Sequence, residues 1–210
     1  YPIPEDLIDE MKQRGFEVGI HGLHHDGNLF RSRKVFLDHA VKINESLKKY
    51  DAVGFRSPSM YHNLEWIHEL NIEYDASTFD TDPFEPQPDA AGTIFPFWVP
   101  GRNGKPGYVE LPYTLPQDFL TFILLQERDT RLWQSKLNWI AEKGGMCLLN
   151  THPDYIDFSN AAAKIDQFPS TYYEEFLTHV KEKKEDRYWH ALPRDVVQFW
   201  KKKNMQNKFK

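Results

Sequence analysis

The sequence predicts an α/β protein built on a parallel sheet, left open or closed into a barrel. Three observations predict it. Helical and extended patterns alternate along all 210 residues. Hydrophobic residues make up 40% of the chain, enough for a substantial core. Polar, chemically capable residues collect where apolar runs stop, as they do at the C-terminal ends of strands in α/β barrels.

The opening "YPIPEDLIDEMKQRG" reads as a helix. Pro4 suits the first turn, Glu5 and Asp6 suit its positive end, and Gly15 stops it. Leu7, Ile8 and Met11 share one face. "FEVGIHG" follows as a short strand. A long helix near 31–50 precedes the strand "AVGFRSP", and a helix near 62–70 precedes "IEYDASTF". A Pro- and Gly-rich stretch, 82–107, separates these from "YVELPYT". Helical segments near 117–126 and 130–143 precede "MCLLNTHP". A helix near 171–186 precedes "RYWHALP", and a last helix ends near Lys203. The strand positions are therefore 16–22, 52–58, 74–79, 108–114, 146–153 and 187–193. A parallel α/β unit normally opens with a strand, so one upstream strand is expected beyond these six. Residues 1–210 read as a single domain, truncated at its N-terminal end.

Net charge is −5 with both signs mixed, which argues against a nucleic-acid binder. The basic tail "KKKNMQNKFK" reads as a solvated end. Cys147 is the only cysteine, so no internal disulfide exists, and its apolar run "MCLL" suggests a small buried hydrophobe. No apolar stretch approaches the length of a membrane span. The compartment stays open, with the cytoplasm slightly favoured.

Four apolar runs end in candidate site residues. "FEVGI" stops at His21, "AVGF" at Arg56, "IEY" at Asp75, and "MCLL" at Asn150, Thr151 and His152. His21 and His25 are four apart on a tight turn, and two imidazoles so placed suit a divalent cation. A solvated loop is the competing reading. His152, followed by Pro153, suits general acid–base chemistry at neutral pH, or a hydrogen-bonded place at the core rim. Arg56 suits bidentate binding of a carboxylate, or a structural salt bridge. Asp75, Ser77, Asp80 and Asp82 crowd the third strand end, as pocket lining or as a hydrogen-bonded turn. Within 82–107, Trp98 or Phe97 suits stacking on a sugar face or anchoring of the loop. His39, His62, His68, His179 and His190 have no partner pattern and read as surface or core histidines.

Taken together and in order, these motifs resemble the polysaccharide deacetylase family, the carbohydrate esterases with NodB homology. "HGLHHDG" is similar to its metal motif, "FRSPS" to its Arg-x-Pro motif, and "LLNTHP" to its late Leu-x-x-His motif. The closing "YWHALPRDVVQFW" is similar to the way such domains end. The resemblance implies a distorted seven-stranded (β/α) barrel lacking its first strand here. It implies metal-dependent removal of acetyl groups from N- or O-acetylated sugars, with His21 and His25 as ligands of a divalent metal, zinc first. It assigns catalytic roles to His152, which protonates the leaving group, and Arg56, which positions the base. Asp75, Asp80, Ser59 and Trp98 are the expected substrate contacts.

Two departures from the family pattern matter. Its Asp-Asp pair, source of the catalytic base and a third ligand, occurs nowhere in these residues. Gly22 stands where many members have Ser or Thr, and Ser59 where many have Tyr. This chain alone is therefore expected to hold metal weakly and to lack a complete catalytic set. Two alternatives remain: a non-catalytic carbohydrate-binding barrel, and a cyclic amide or imide hydrolase on the same fold.

Overall fold

The computed structural model describes residues 4–82, 84–85, 87–159, 164–184 and 186–205. The sequence expectations at 1–3, Pro83, Pro86, Glu185 and the end of the basic tail, 206–210, lie outside the described residues.

Helix α1 spans Glu5–Gln13 and α2 spans Arg33–Lys49. The Ser32 side chain caps α2 by accepting from the Val35 N–H at 3.3 Å. Residues 36, 40, 43 and 47 then turn one stripe inward, and Phe36 and Ile43 are 0% exposed. That stripe packs on Ile20, Phe55, Ile67 and Leu70, forming the largest apolar cluster. Full burial of each such side chain contributes about 1.5–3 kcal/mol.

The sheet orders its strands β1 (Gly54–Phe55), β2 (Tyr74–Asp75), β4 (Tyr108–Glu110), β3 (Phe97–Val99). β1, β2 and β4 run parallel, and β3 runs antiparallel on β4. Single parallel bridges extend it, Ile20 to Phe55 and Phe79 to Tyr113. A Cβ at Gly54 would lie 2.0 Å from the Tyr74 ring, so only glycine lets that ring cross the strand. Helix α3 (Leu64–Ile67) separates β1 from β2, and Asn63 caps it.

The second half is more helical. A π-helical turn, Phe119–Leu124, precedes α4 (Arg131–Lys143). A two-stranded parallel ladder, β5 (Ile156–Asp157) on β6 (Phe168–Pro169), leads into α5 (Ser170–Lys184). Helix α6 (Pro193–Met205) closes the described chain. Trp133, Ile140, Phe122, Phe168 and Phe176 form this half's core.

The α/β class stands, with several corrections of detail. The described strands form a four-stranded sheet and a separate two-stranded ladder, and no closed barrel is seen among the described residues. Residues 146–150 run beside 114–118 and join them through Leu148 O, which accepts from the Thr114 and Leu115 N–H groups, and Asn150 O, which accepts from the Asp118 N–H. They form no ladder. Residues 187–193 are not a strand either, because Tyr188 and Trp189 stay exposed with no sheet neighbour to pair them. β3 arises inside the Pro- and Gly-rich stretch expected to be loop. Cys147 is exposed rather than buried. Among the described residues no helix is long and apolar enough to cross a membrane.

Candidate active site

The site forms where the parallel segments end. Ile20 exchanges backbone hydrogen bonds with Gly54 and Arg56, which sets His21 beside the end of β1. His21 Nδ1 lies 2.9 Å from the Arg56 carbonyl oxygen. A carbonyl can only accept, so Nδ1 carries the hydrogen and Nε2 of the neutral ring keeps its lone pair. The imidazole is hemmed in by protein while the residue keeps an exposed face. Desolvation pushes its pKa below the usual histidine value. The hydrogen bond to Arg56 opposes that, and the charges of His25, Arg56 and His152 add to the depression. The favoured form is the neutral, ligand-competent ring.

Between His21 and His25 the chain turns through Gly22, at φ +71°. A Cβ there would come 2.5 Å from Pro58 Cγ. Both the backbone angle and the contact disfavour a larger residue here. The turn brings the His21 and His25 ring centroids to 5.4 Å, tilted by 54°. Among the described residues no third His, Cys, Asp or Glu joins them in a metal-holding group.

His152 is held differently. Its Nδ1–H donates to Asp118 Oδ1 at 2.7 Å and its backbone N–H to Oδ2 at 2.6 Å. Asp118 is fully buried and also accepts from the Phe119 N–H at 2.8 Å, as the cap of the π-helical turn. The Tyr155 ring closes on His152 at 5.2 Å. With Nδ1 committed, Nε2 is the working edge of a ring that is 30% exposed.

Arg56 lies between these two halves. Its Nε donates to Ala76 O at 3.0 Å and its Nη1 to Asn150 Oδ1. Burial disfavours its charge, and Asp75 exerts the largest opposing pull, followed by Tyr74, Glu110 and Tyr113. Asp75 and Ser57 are fully buried and linked through Ser77: the Ser57 N–H donates to Ser77 Oγ at 2.8 Å, and Ser77 Oγ–H to Asp75 Oδ1 at 2.6 Å.

The remaining expected residues make their own contacts. Asp80 is 5% exposed and takes a 2.6 Å ion pair from Lys136 on α4. Trp98 stacks on Trp200 of α6 at 6.2 Å and 11°, with the Val109 and Leu111 cluster behind it. The loop-anchor reading describes that ring, which is committed to the α6 interface. Ser59 is half-buried in the turn Pro58–Met60, at φ +56°. Of the histidines without a partner pattern, His62 is buried and 3.2 Å from Asp89.

Three acidic residues escaped the sequence reading. Asp118 was hidden inside a segment expected to be helical, although a capping aspartate before an aromatic run is a recognisable signal. Glu110 is a charge inside the apolar run "YVELP". Glu85, from the Pro-rich stretch, accepts from the Tyr113 hydroxyl at 2.5 Å and from the Gln117 side chain. Its partial burial raises its pKa; the opposing charges of His62 and His152 pull it down.

A structure named for a polysaccharide deacetylase of Mycobacterium smegmatis superposes with a TM-score of 0.65 at 18% identity. It covers 92% of this chain and 66% of its own. A second, named for a polysaccharide deacetylase of Pseudomonas aeruginosa PAO1, gives 0.64 at 16%, over 95% and 64%. The fold is that of the polysaccharide deacetylases. The chain spans less than two thirds of the length of either deacetylase structure. A 4-alpha-glucanotransferase from Thermococcus litoralis also matches, with a TM-score of 0.57 at 14% identity, over 92% of this chain and 28% of its own. At these identities the likeness establishes the deacetylase fold alone. No family model matches the chain, and neither does any curated protein sequence.

Proposed function

We propose that this chain belongs to a metal-dependent hydrolase that removes acetyl groups from N- or O-acetylated sugars, on a distorted seven-stranded (β/α) barrel. The observation that carries the proposal is His152, oriented by a buried carboxylate, within electrostatic reach of His21 in a deacetylase fold. In this reading His21 and His25 hold a divalent metal, zinc first. The donor set fits in part: both are imidazoles, and the Arg56 carbonyl presents the Nε2 lone pair of His21. Such an ion polarises an acyl oxygen and lowers the pKa of bound water.

The chain's own residues do the rest. Asp118 fixes the His152 tautomer and steadies the ring when it is protonated, and Nε2–H delivers a proton to the leaving nitrogen or oxygen. Arg56 supplies a fixed positive charge between the two halves.

Acetate release from acetylated oligosaccharides, with and without chelator, tests the reading. Chelator-sensitive release, lost in His152→Ala with metal content unchanged, is expected; full activity in His152→Ala would remove that residue. A non-catalytic carbohydrate-binding role is favoured by one observation, the absence of an Asp-Asp pair from the sequence. Sugar binding without acetate release would select it.

A further inference from the structure

Near Arg56 lies a buried pair of acids, Asp75 and Glu110; Asp75, expected as a substrate contact, is wholly enclosed. Asp75 and Glu110 are directly opposite in the parallel register of β2 and β4, so their side chains project to the same face. Both are 0% exposed. Each has one satisfied oxygen. Ser77 Oγ–H donates to Asp75 Oδ1 at 2.6 Å. The Thr78 N–H and Oγ1–H donate to Glu110 Oε1 at 3.0 and 2.7 Å. Each has one oxygen with no donor, Asp75 Oδ2 and Glu110 Oε2. Two carboxylates can only accept. An unmatched oxygen on each, on side chains opposite in the register, is satisfied by a hydrogen held between them.

We propose that Asp75 and Glu110 share a single proton, and that the resulting pair, carrying one negative charge, is the counter-charge for the Arg56 guanidinium, whose Nε is held on the carbonyl of Ala76, the residue after Asp75. The charge count supports it. Two ionised acids against one arginine leave a buried excess of −1, whereas one shared proton leaves the trio neutral. Burial raises the titration of both acids, and on Glu110 the neighbouring Asp75 adds to it. The other titratable groups facing the pair are His62, from the loop after β1, and Tyr108, on β4. Tyr74 and Tyr113 bear on Arg56 itself. His62 lies 3.2 Å from Asp89, so its own acidic partner is there rather than in the pair. Asp75 and Glu110 are thus positioning residues for Arg56, and the inference does not depend on the deacetylase reading.

Infrared spectroscopy of the folded chain tests this directly. Wild type at pH 7 is expected to show the carbonyl stretch of a protonated, buried carboxylic acid, shifted by deuterium exchange. Glu110→Gln and Asp75→Asn should each abolish it, so that it stands out in the wild-type-minus-variant difference spectrum, because each amide replaces the shared proton with a permanent donor. Either variant that folds suffices. A difference spectrum without the band, in whichever variant folds, overturns the proposal. Urea unfolding gives the positioning readout. Each single variant keeps one negative charge and should lose the decline in stability that wild type shows as pH rises above the ordinary carboxyl range. The double variant, which strands the Arg56 charge, should unfold at lower urea than the two single effects predict. A double variant as stable as the singles would show that Arg56 needs no such counter-ion.

Discussion

His152 and the His21–His25 pair meet at one site but arrive there by opposite means. His152 brings its own support: a buried carboxylate that grips ring and backbone together and caps the next helical turn. His21 and His25 have one carbonyl contact between them, an exposed face, and two donors where a catalytic zinc site uses three protein ligands. One half is completed by the fold, while the other calls for a group from outside the described residues. In the proposed reading, the difference separates what folding alone organises from what a bound ion would organise.

The sharpest way to break that comparison is to remove a ligand. His21→Ala should abolish metal uptake, read by metal analysis of purified protein, while the Asp118–His152 hydrogen bond persists in its imidazole proton resonance. Unchanged metal content would defeat the assignment of His21. The reverse cut comes next. Asp118→Asn should lower acetate release about 10²–10⁴-fold, the usual worth of an oriented acid–base group, with metal content intact. Loss of metal in this variant would mean that the two halves are not separable.

The same contrast decides how much was legible in the sequence. The candidate groups at His21, Arg56 and His152 were visible, because an apolar run followed by polar residues needs no tertiary information. Asp118 was not, because its role depends on residues 146–152 returning beside 117–118, a contact between residues 34 apart. The strands at 146–153 and 187–193 were misplaced for a related reason. Short apolar runs share one pattern whether they enter a ladder or only lie along one. Trp98 was ambiguous until α6 supplied Trp200 as its stacking partner. Local patterns thus located the groups that end strands, whereas orientation and pairing depended on distant chain.

Gly22 sharpens the comparison at smaller scale. Gly22→Ala forces a Cβ toward Pro58 at a left-handed backbone angle, so stability should drop by about 1–3 kcal/mol in urea unfolding. The displaced turn should also loosen metal retention, since this turn joins the two rings. The His152 half should be untouched, and its resonances report that. A neutral Gly22→Ala would mean that the turn is not what sets the His21–His25 separation.

The smallest effect tests whether the self-supported half carries a hidden charge of its own. The Tyr113 hydroxyl has one hydrogen but two acidic neighbours, Asp82 at 2.9 Å and Glu85 at 2.5 Å. Partial burial raises the Glu85 pKa above its value in the unfolded chain. Between the unfolded and folded values the native state therefore binds more protons, and stability falls as pH rises through that window. The contribution is complete below the ordinary glutamate range and gone above the raised one. Glu85→Gln keeps an acceptor for Tyr113 without the titration. The stability difference, variant minus wild type, should thus grow with pH from about 4 upward and then level off. Parallel curves for the two proteins would place Glu85 in solvent.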